Sequence, residues 1–171
     1  VCAPFSMKDT PFFIDDALYN KGVSFINQVY KGEYSGQKIV LNGSANIIYF
    51  EKAIRRIHTL NPSAKLILVL RNPVERAVSA YNFAVKRNME NYSFKEAILM
   101  EPERIRTGDL RTLSNNTYAD HGKYFEQISR LLNYFPREQV LILLFEDIRE
   151  NPEKVIAETY KFLGLKEGFE P

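Results

Sequence analysis

KLILVLRNPVERAVSAY, residues 65–81, decides the fold. Leu66, Ile67, Leu68, Val69 and Leu70 form an unbroken apolar run, too short for a helix of its own and suited to a parallel strand covered on both faces. Arg71 follows, then Asn72 as an N-cap and Pro73 at the first helical position, where no backbone donor is lost. A strand that hands over to a helix N-terminus is a ready anion site, because free N–H groups and the helix dipole both favour negative charge. Arg71 adds a planar fork suited to phosphate oxygens. Helical spacing puts Asn72, Arg76 and Ser79 on one face and Val74, Val78 and Tyr81 on another. The second face is expected to pack on the sheet, leaving the Ser79 hydroxyl turned toward whatever Arg71 holds.

Outward from this stretch, the same strand and helix signals recur. Helices are expected over 21–30, 50–59 (Ala53, Ile54 and Ile57 inward, Arg55 and Arg56 outside), 73–87, 124–135 and 152–163. The last has Asn151 as its cap and Gly164 just past its end. Ser93 with Glu96 forms a capping box for a further short helix. Strands are expected at 38–41 (KIVL), 66–70 and 140–145 (VLILLF). Residues 104–117 are polar without period and read as a loop. Buried strands alternating with helices define an α/β class, a three-layer domain with a central parallel sheet. Ligands in such sheets bind beyond the carboxyl ends of the strands, where Arg71 and Asn42 both lie. With no internal repeat or linker, residues 1–171 read as a single domain.

Composition narrows the function. Lys and Arg number 23 against 21 acids, a net charge of +2, so no broad positive field recommends a nucleic-acid partner. Cys2 is the single cysteine and the histidines are His58 and His121, too few for a cysteine cluster or a histidine-rich metal site. A disulfide within the chain is impossible, which favours a cytoplasmic over a Golgi-lumen location. Hydrophobic content of 45% is globular, and no segment has membrane-spanning length.

The pattern Arg71-x-Pro73-x-x-Arg76-x-x-Ser79-x-Tyr81 resembles the 3′-phosphate-binding segment of sulfotransferases that use 3′-phosphoadenosine 5′-phosphosulfate (PAPS). Lys8-Asp9-Thr10-Pro11-Phe12-Phe13 is similar to the Lys-Glu-x-x-Phe-Phe segment of glycan sulfotransferases of the heparan sulfate type. Residues 44–57, Pro136-Arg137-Glu138-Gln139, Glu146-Asp147, Asn151-Pro152 and Phe162-Leu163-Gly164-Leu165 follow the family order, so the resemblance covers nearly the whole chain. It implies a P-loop NTPase-like sulfotransferase fold, PAPS as donor, 3′-phosphoadenosine 5′-phosphate (PAP) as product, no metal, and a small-molecule or glycan acceptor. Arg71 and Ser79 would contact the nucleotide's 3′-phosphate, with Arg76 in support or simply exposed.

Asp9 stands where the family has its Glu base: it is either the carboxylate that takes the acceptor proton or a turn residue ahead of an aromatic cluster. Lys8 either steadies charge on the leaving phosphate or is a solvated lysine. His121, in a polar loop, faces an acceptor or is a surface residue; His58 is structural. Lys86, Arg87, Arg104, Arg106 and Arg111 form either a rim for an anionic acceptor or an ordinary solvated surface. Three departures stand out. The Gly-rich 5′-phosphosulfate loop and its strand are absent, which reads as truncation before Val1, with a further basic loop missing beyond Pro171. Gly43 and Ala45 replace a family Lys and Pro, and Phe83 replaces a His found in N-sulfotransferases. A non-catalytic binding module on the same fold is the alternative to an enzyme, and a nucleoside-phosphate kinase is a third reading.

Overall fold

The computed structural model describes Cys2 and residues 10–165. The chain divides into two compact units, Val1–Leu60 and Asn61–Pro171.

In the first unit, Phe12, Phe13 and Ile14 are buried. Phe12 stacks on Phe25 at 5.8 Å and meets Phe13 edge-on at 5.0 Å. Helices α1 (Asp16–Tyr19), α2 (Val23–Val29) and α3 (Glu51–Leu60) surround this cluster. Ala53, Ile54 and Ile57 of α3 turn inward as their spacing dictates. Arg56 departs from expectation: its guanidinium reaches back to the Phe13 carbonyl at 3.0 Å, pairs with Asp16 and lies 4.2 Å over the Tyr19 ring. The KIVL run does not form a strand. It makes one parallel bridge, Val40 with Cys2. Gly36 just before it adopts φ 91°, and Val40 and Leu41 are exposed, so the run has neither the length nor the cover that a strand needs.

The second unit is built on two parallel strands, β1 (Leu66–Leu70) and β2 (Val140–Leu144), paired in register from Leu66↔Val140 to Leu70↔Leu144. Between them run α4 (Pro73–Lys86), α5 (Phe94–Leu99), α6 (Glu101–Thr107), α7 (Leu110–Asn115), a 3₁₀ turn over Asp120–Gly122, and α8 (Tyr124–Leu132). After β2 come α9 (Phe145–Glu150) and α10 (Pro152–Leu163), the latter closed by Gly164 at φ 71°. On one sheet face Leu141 and Leu143 pack with Ile67 against Val155 and Phe162 of α10 and Ile148 of α9.

Three expectations change. The sheet is not covered along its whole length, since Val69 is 53% and Leu144 48% exposed. Helix α4 buries Ala77, Ala80, Tyr81 and Ala84 against Ala97, Ile98 and Tyr118, whereas Val74 (69% exposed) and Val78 face outward. The buried stripe therefore follows the alanines and Tyr81, not the valines. Residues 104–117 are not a loop: they form most of α6 and α7, separated by Gly108 at φ 70° and restarted by the Asp109 cap on Thr112 N–H.

Candidate functional site

The carboxyl ends of β1 and β2 emerge side by side, because their pairing is in register, and Arg71 and Phe145 follow them directly. The peptide unit joining Arg71 to Asn72 is held at both poles. Tyr124 Oη donates to the Arg71 carbonyl at 3.1 Å, and the Asn72 N–H donates to Glu146 Oε1 at 3.0 Å. That N–H holds the Glu146 carboxyl below the usual carboxylate range, helped by its own N–H and by the charges of Arg71 and Arg149. The strand-to-helix corner is thus fixed by side chains of α8 and α9 rather than by strand pairing alone.

The amides at the start of α4 are already taken. Asn72 Oδ1 accepts from Val74 N–H at 3.0 Å and Glu75 N–H at 3.3 Å, Pro73 has none, and Asn72 N–H belongs to Glu146. The expected open helix N-terminus is therefore closed by its own cap, and the donors left at this corner are those of side chains. The Arg71 guanidinium lies 5.0 Å over the Phe145 ring and turns one edge to Glu75, with Nη2 at 3.0 Å and Nε at 3.3 Å from Oε2. Ser79 follows Glu75 by four residues, one helical turn further on the same face and about 6 Å along the axis, and it is exposed. Glu75 and exposed Ser79 thus share a face of α4, and Arg71, which precedes the helix, reaches that face through Glu75.

Arg76 takes another direction. Its guanidinium donates to the Tyr118 carbonyl, its buried Nε has no partner among the described residues, and burial pulls its pKa down against the opposing influence of Tyr124 and Glu101. It braces the 118–122 segment, which Glu101 holds from the other side by accepting from Ala119 N–H at 2.7 Å and Asp120 N–H at 3.0 Å. His121 is buried, contrary to its reading as a loop residue facing solvent or acceptor; its Nε2 lies 2.9 Å from the Leu113 carbonyl. Burial lowers its pKa to about 4, despite the Leu113 carbonyl, with the Arg76 charge adding to the effect. It is a neutral structural residue at ordinary pH. Gly122 sits against α4: a Cβ there would lie 3.0 Å from Pro73 Cβ.

Of the basic rim, Arg104 is withdrawn. It is bound bidentately to buried Glu90 at 2.8 and 3.1 Å, and Arg106 is paired with Glu103. Lys86, Arg87 and Arg111 are exposed. Lys8 and Asp9 lie outside the described residues. Sequence reading did not assign Glu75, Phe145, Glu146 or Tyr124 to the site. The i,i+4 step from Arg71 to Glu75 was the available signal; the others depend on tertiary pairing.

Comparison with known proteins settles the class. The sulfotransferase domain family model matches residues 51–170, and the chain belongs to that family. Its α/β fold with a parallel sheet matches the crystal structure of a sulfotransferase from Alicyclobacillus acidocaldarius with a TM-score of 0.77 at 33% identity, over 92% of this chain and 60% of that one. The bifunctional heparan sulfate N-deacetylase/N-sulfotransferase 1 of Xenopus tropicalis is 31% identical over 157 residues, 90% of this chain and 18% of that protein. Human heparan sulfate glucosamine 3-O-sulfotransferase 6 is 29% identical over 91% of this chain and 43% of its own length. The chain thus spans less than half of these curated relatives. Among the described residues no helix is long and apolar enough to cross a membrane.

Proposed function

We propose that the intact protein transfers a sulfonyl group from PAPS to a hydroxyl or amine of a carbohydrate, and that this chain carries the 3′-phosphate end of the donor site. The observation that carries the reading is the Arg71 guanidinium at the shared carboxyl end of β1 and β2, tied through Glu75 to the α4 face that carries an exposed Ser79, in a chain of this family. The residues fit a phosphate: a planar fork gives two parallel charge-assisted hydrogen bonds and the hydroxyl adds a third donor. Arg76 supports the site indirectly, by bracing the segment that leads to Tyr124.

PAPS, when bound, supplies an activated sulfonyl group whose bridging S–O bond breaks as the acceptor oxygen or nitrogen bonds to sulfur. Arg71 and Ser79 anchor and orient the nucleotide, converting the encounter into a positioned in-line displacement. Asp9, by resemblance, takes the acceptor's proton, and Lys8 stabilises charge developing on the departing phosphate. The single, buried Cys2 supports a cytoplasmic location.

Titration of the full-length protein with PAP and with adenosine 5′-phosphate tests the reading. PAP should bind far more tightly, and Arg71→Ala should weaken PAP by about 10- to 100-fold, since a hydrogen bond to a charged group is worth about 1.5–3 kcal/mol, while leaving adenosine 5′-phosphate nearly unchanged. Ser79→Ala should weaken it less. Equal affinity for the two nucleotides refutes the assignment; PAP binding without sulfonyl transfer to any glycan leaves a binding module.

A further inference from the structure

The donor site has an unexpected charge balance. Beside the Arg71 guanidinium stand two carboxylates, Glu75 directly on its Nε and Nη2 edge and Glu146 on the adjoining Asn72 N–H. The amides that would ordinarily offset an incoming anion at this helix start are engaged by Asn72. An anion that shares Arg71 Nη2 with Glu75 lies against that carboxylate, and one that takes the whole Nε–Nη2 edge displaces it.

We propose that Glu75 is a specificity-determining residue that makes the Arg71 site accept a phosphate monoester and reject a sulfate. This rests on the reading of Arg71 as the 3′-phosphate ligand. The distinction is one of protons. A phosphate monoester has a second pKa of about 6, so beside a carboxylate it can keep one O–H, donate that hydrogen bond to Glu75 Oε2, and still offer ionised oxygens to Arg71. A sulfate or sulfate ester carries no proton near neutral pH. It meets Glu75 with lone pairs only, and two acceptors facing each other repel.

Apart from Ser79, whose hydroxyl can serve a phosphate and a sulfate alike, the described neighbours do not supply the missing donor. Phe145 contributes a ring face, the Tyr124 hydroxyl is committed to the Arg71 carbonyl, and Glu146 is a second acceptor. The discrimination has an obvious use in this chemistry, because the donor carries a phosphate at one end and a sulfonate at the other, and the product bears a sulfate. A site that took either anion would bind the donor reversed or be occupied by product.

The experiment compares wild type, Glu75→Gln and Glu75→Asp in the full-length protein. Calorimetric titration measures PAP affinity, and displacement of PAP by sodium sulfate is read against sodium chloride at matched ionic strength. Removing the counter-charge of an exposed pair is expected to tighten PAP by no more than about fivefold. The Gln amide gives sulfate the donor it lacked, so sulfate should displace PAP from Glu75→Gln at concentrations at least about tenfold lower than from wild type. Glu75→Asp, which keeps the acceptor, should stay close to wild type in its selectivity. Wild-type PAP binding with sulfate competition unchanged in Glu75→Gln overturns the role of Glu75 and leaves the donor site standing. Failure of wild type and Glu75→Gln alike to bind PAP overturns both.

Discussion

Replacing Glu90 by Gln removes the carboxylate that Arg104 faces in the interior of the second unit. The Glu90 side chain is 2% exposed and that of Arg104 11%. Besides the bidentate guanidinium, the Glu90 oxygens accept from Tyr118 Oη at 2.8 Å, from the N–H groups of Asn91 and Tyr92 at 3.1 and 3.2 Å, and from Asn116 Nδ2 at 3.4 Å. Gln keeps the shape but leaves the Arg104 charge uncompensated and turns an amide donor toward other donors. Breaking such a pair costs about 3–5 kcal/mol.

The pH dependence gives a second measure of the same interaction. Burial alone would push the Glu90 carboxyl up, but Arg104, Tyr118 and the Tyr92 N–H outweigh it and bring it down to about 2 from 4.5. A depression of that size corresponds to about 3 kcal/mol. Because the folded pKa is the lower one, this stability is complete above about pH 4.5 and drains away as the pH falls toward 2. Urea unfolding of wild type and Glu90→Gln at pH 7, repeated down to pH 3, measures both. The variant should lose about 3 kcal/mol at pH 7, with the gap narrowing below pH 4.5. Glu90→Leu combined with Arg104→Met should recover much of the loss, since a buried pair replaced whole by apolar groups of similar volume is often neutral. A Glu90→Gln protein within about 1 kcal/mol of wild type, or a gap that does not change with pH, refutes the reasoning.

Other outcomes follow from the same geometry. Gly122→Ala should destabilise by about 1–3 kcal/mol in thermal or urea unfolding, because its Cβ meets Pro73 Cβ at 3.0 Å and the start of α4 must yield. Tyr124→Phe and Glu146→Ala each release one pole of the Arg71–Asn72 peptide. Each should weaken PAP severalfold in titration while leaving adenosine 5′-phosphate binding unchanged. The His121 imidazole should titrate near pH 4 by NMR. Its folded pKa lies below the unfolded value, so it withdraws stability as the pH falls from about 6.5 toward 4, a loss that His121→Gln should lack.

The 65–81 stretch was legible because its signals agree at every level: an apolar run fixes the strand, Asn72 and Pro73 fix the helix start, and the structure keeps both within a residue or two. The capping box at Ser93 and the closure at Gly164 were legible for the same local reason. Helix α6 was not, because it buries Glu101 and pairs Arg104 with interior Glu90 while Ile105 is exposed, inverting the pattern that periodicity reads. Within the proposed site, spacing singles out Arg71 and Ser79 as candidates. Their surroundings could not be read that way: that Asn72 would consume the helix amides, that Glu146 would cross from the other strand, and that Arg76 would turn to Tyr118 are outcomes of tertiary docking. The alanine stripe of α4 likewise prevailed over its valines because Tyr118, Ala97 and Phe94 pack on it, which no hydrophobicity count detects.

The hydrogen bond from Asn72 to Glu146 joins residues 74 positions apart, and the pairing of β1 with β2 spans a similar distance. During synthesis the ribosome must therefore release most of the second unit before the corner beside Arg71 has its support. The intervening helices can form early and locally, but strand association across so long a stretch is slow and comes late. Until then the emerging chain presents an unpaired apolar β1, ready to associate with other chains. A chain so arranged completes the corner beside Arg71 late in folding, and its yield should respond to chaperone supply.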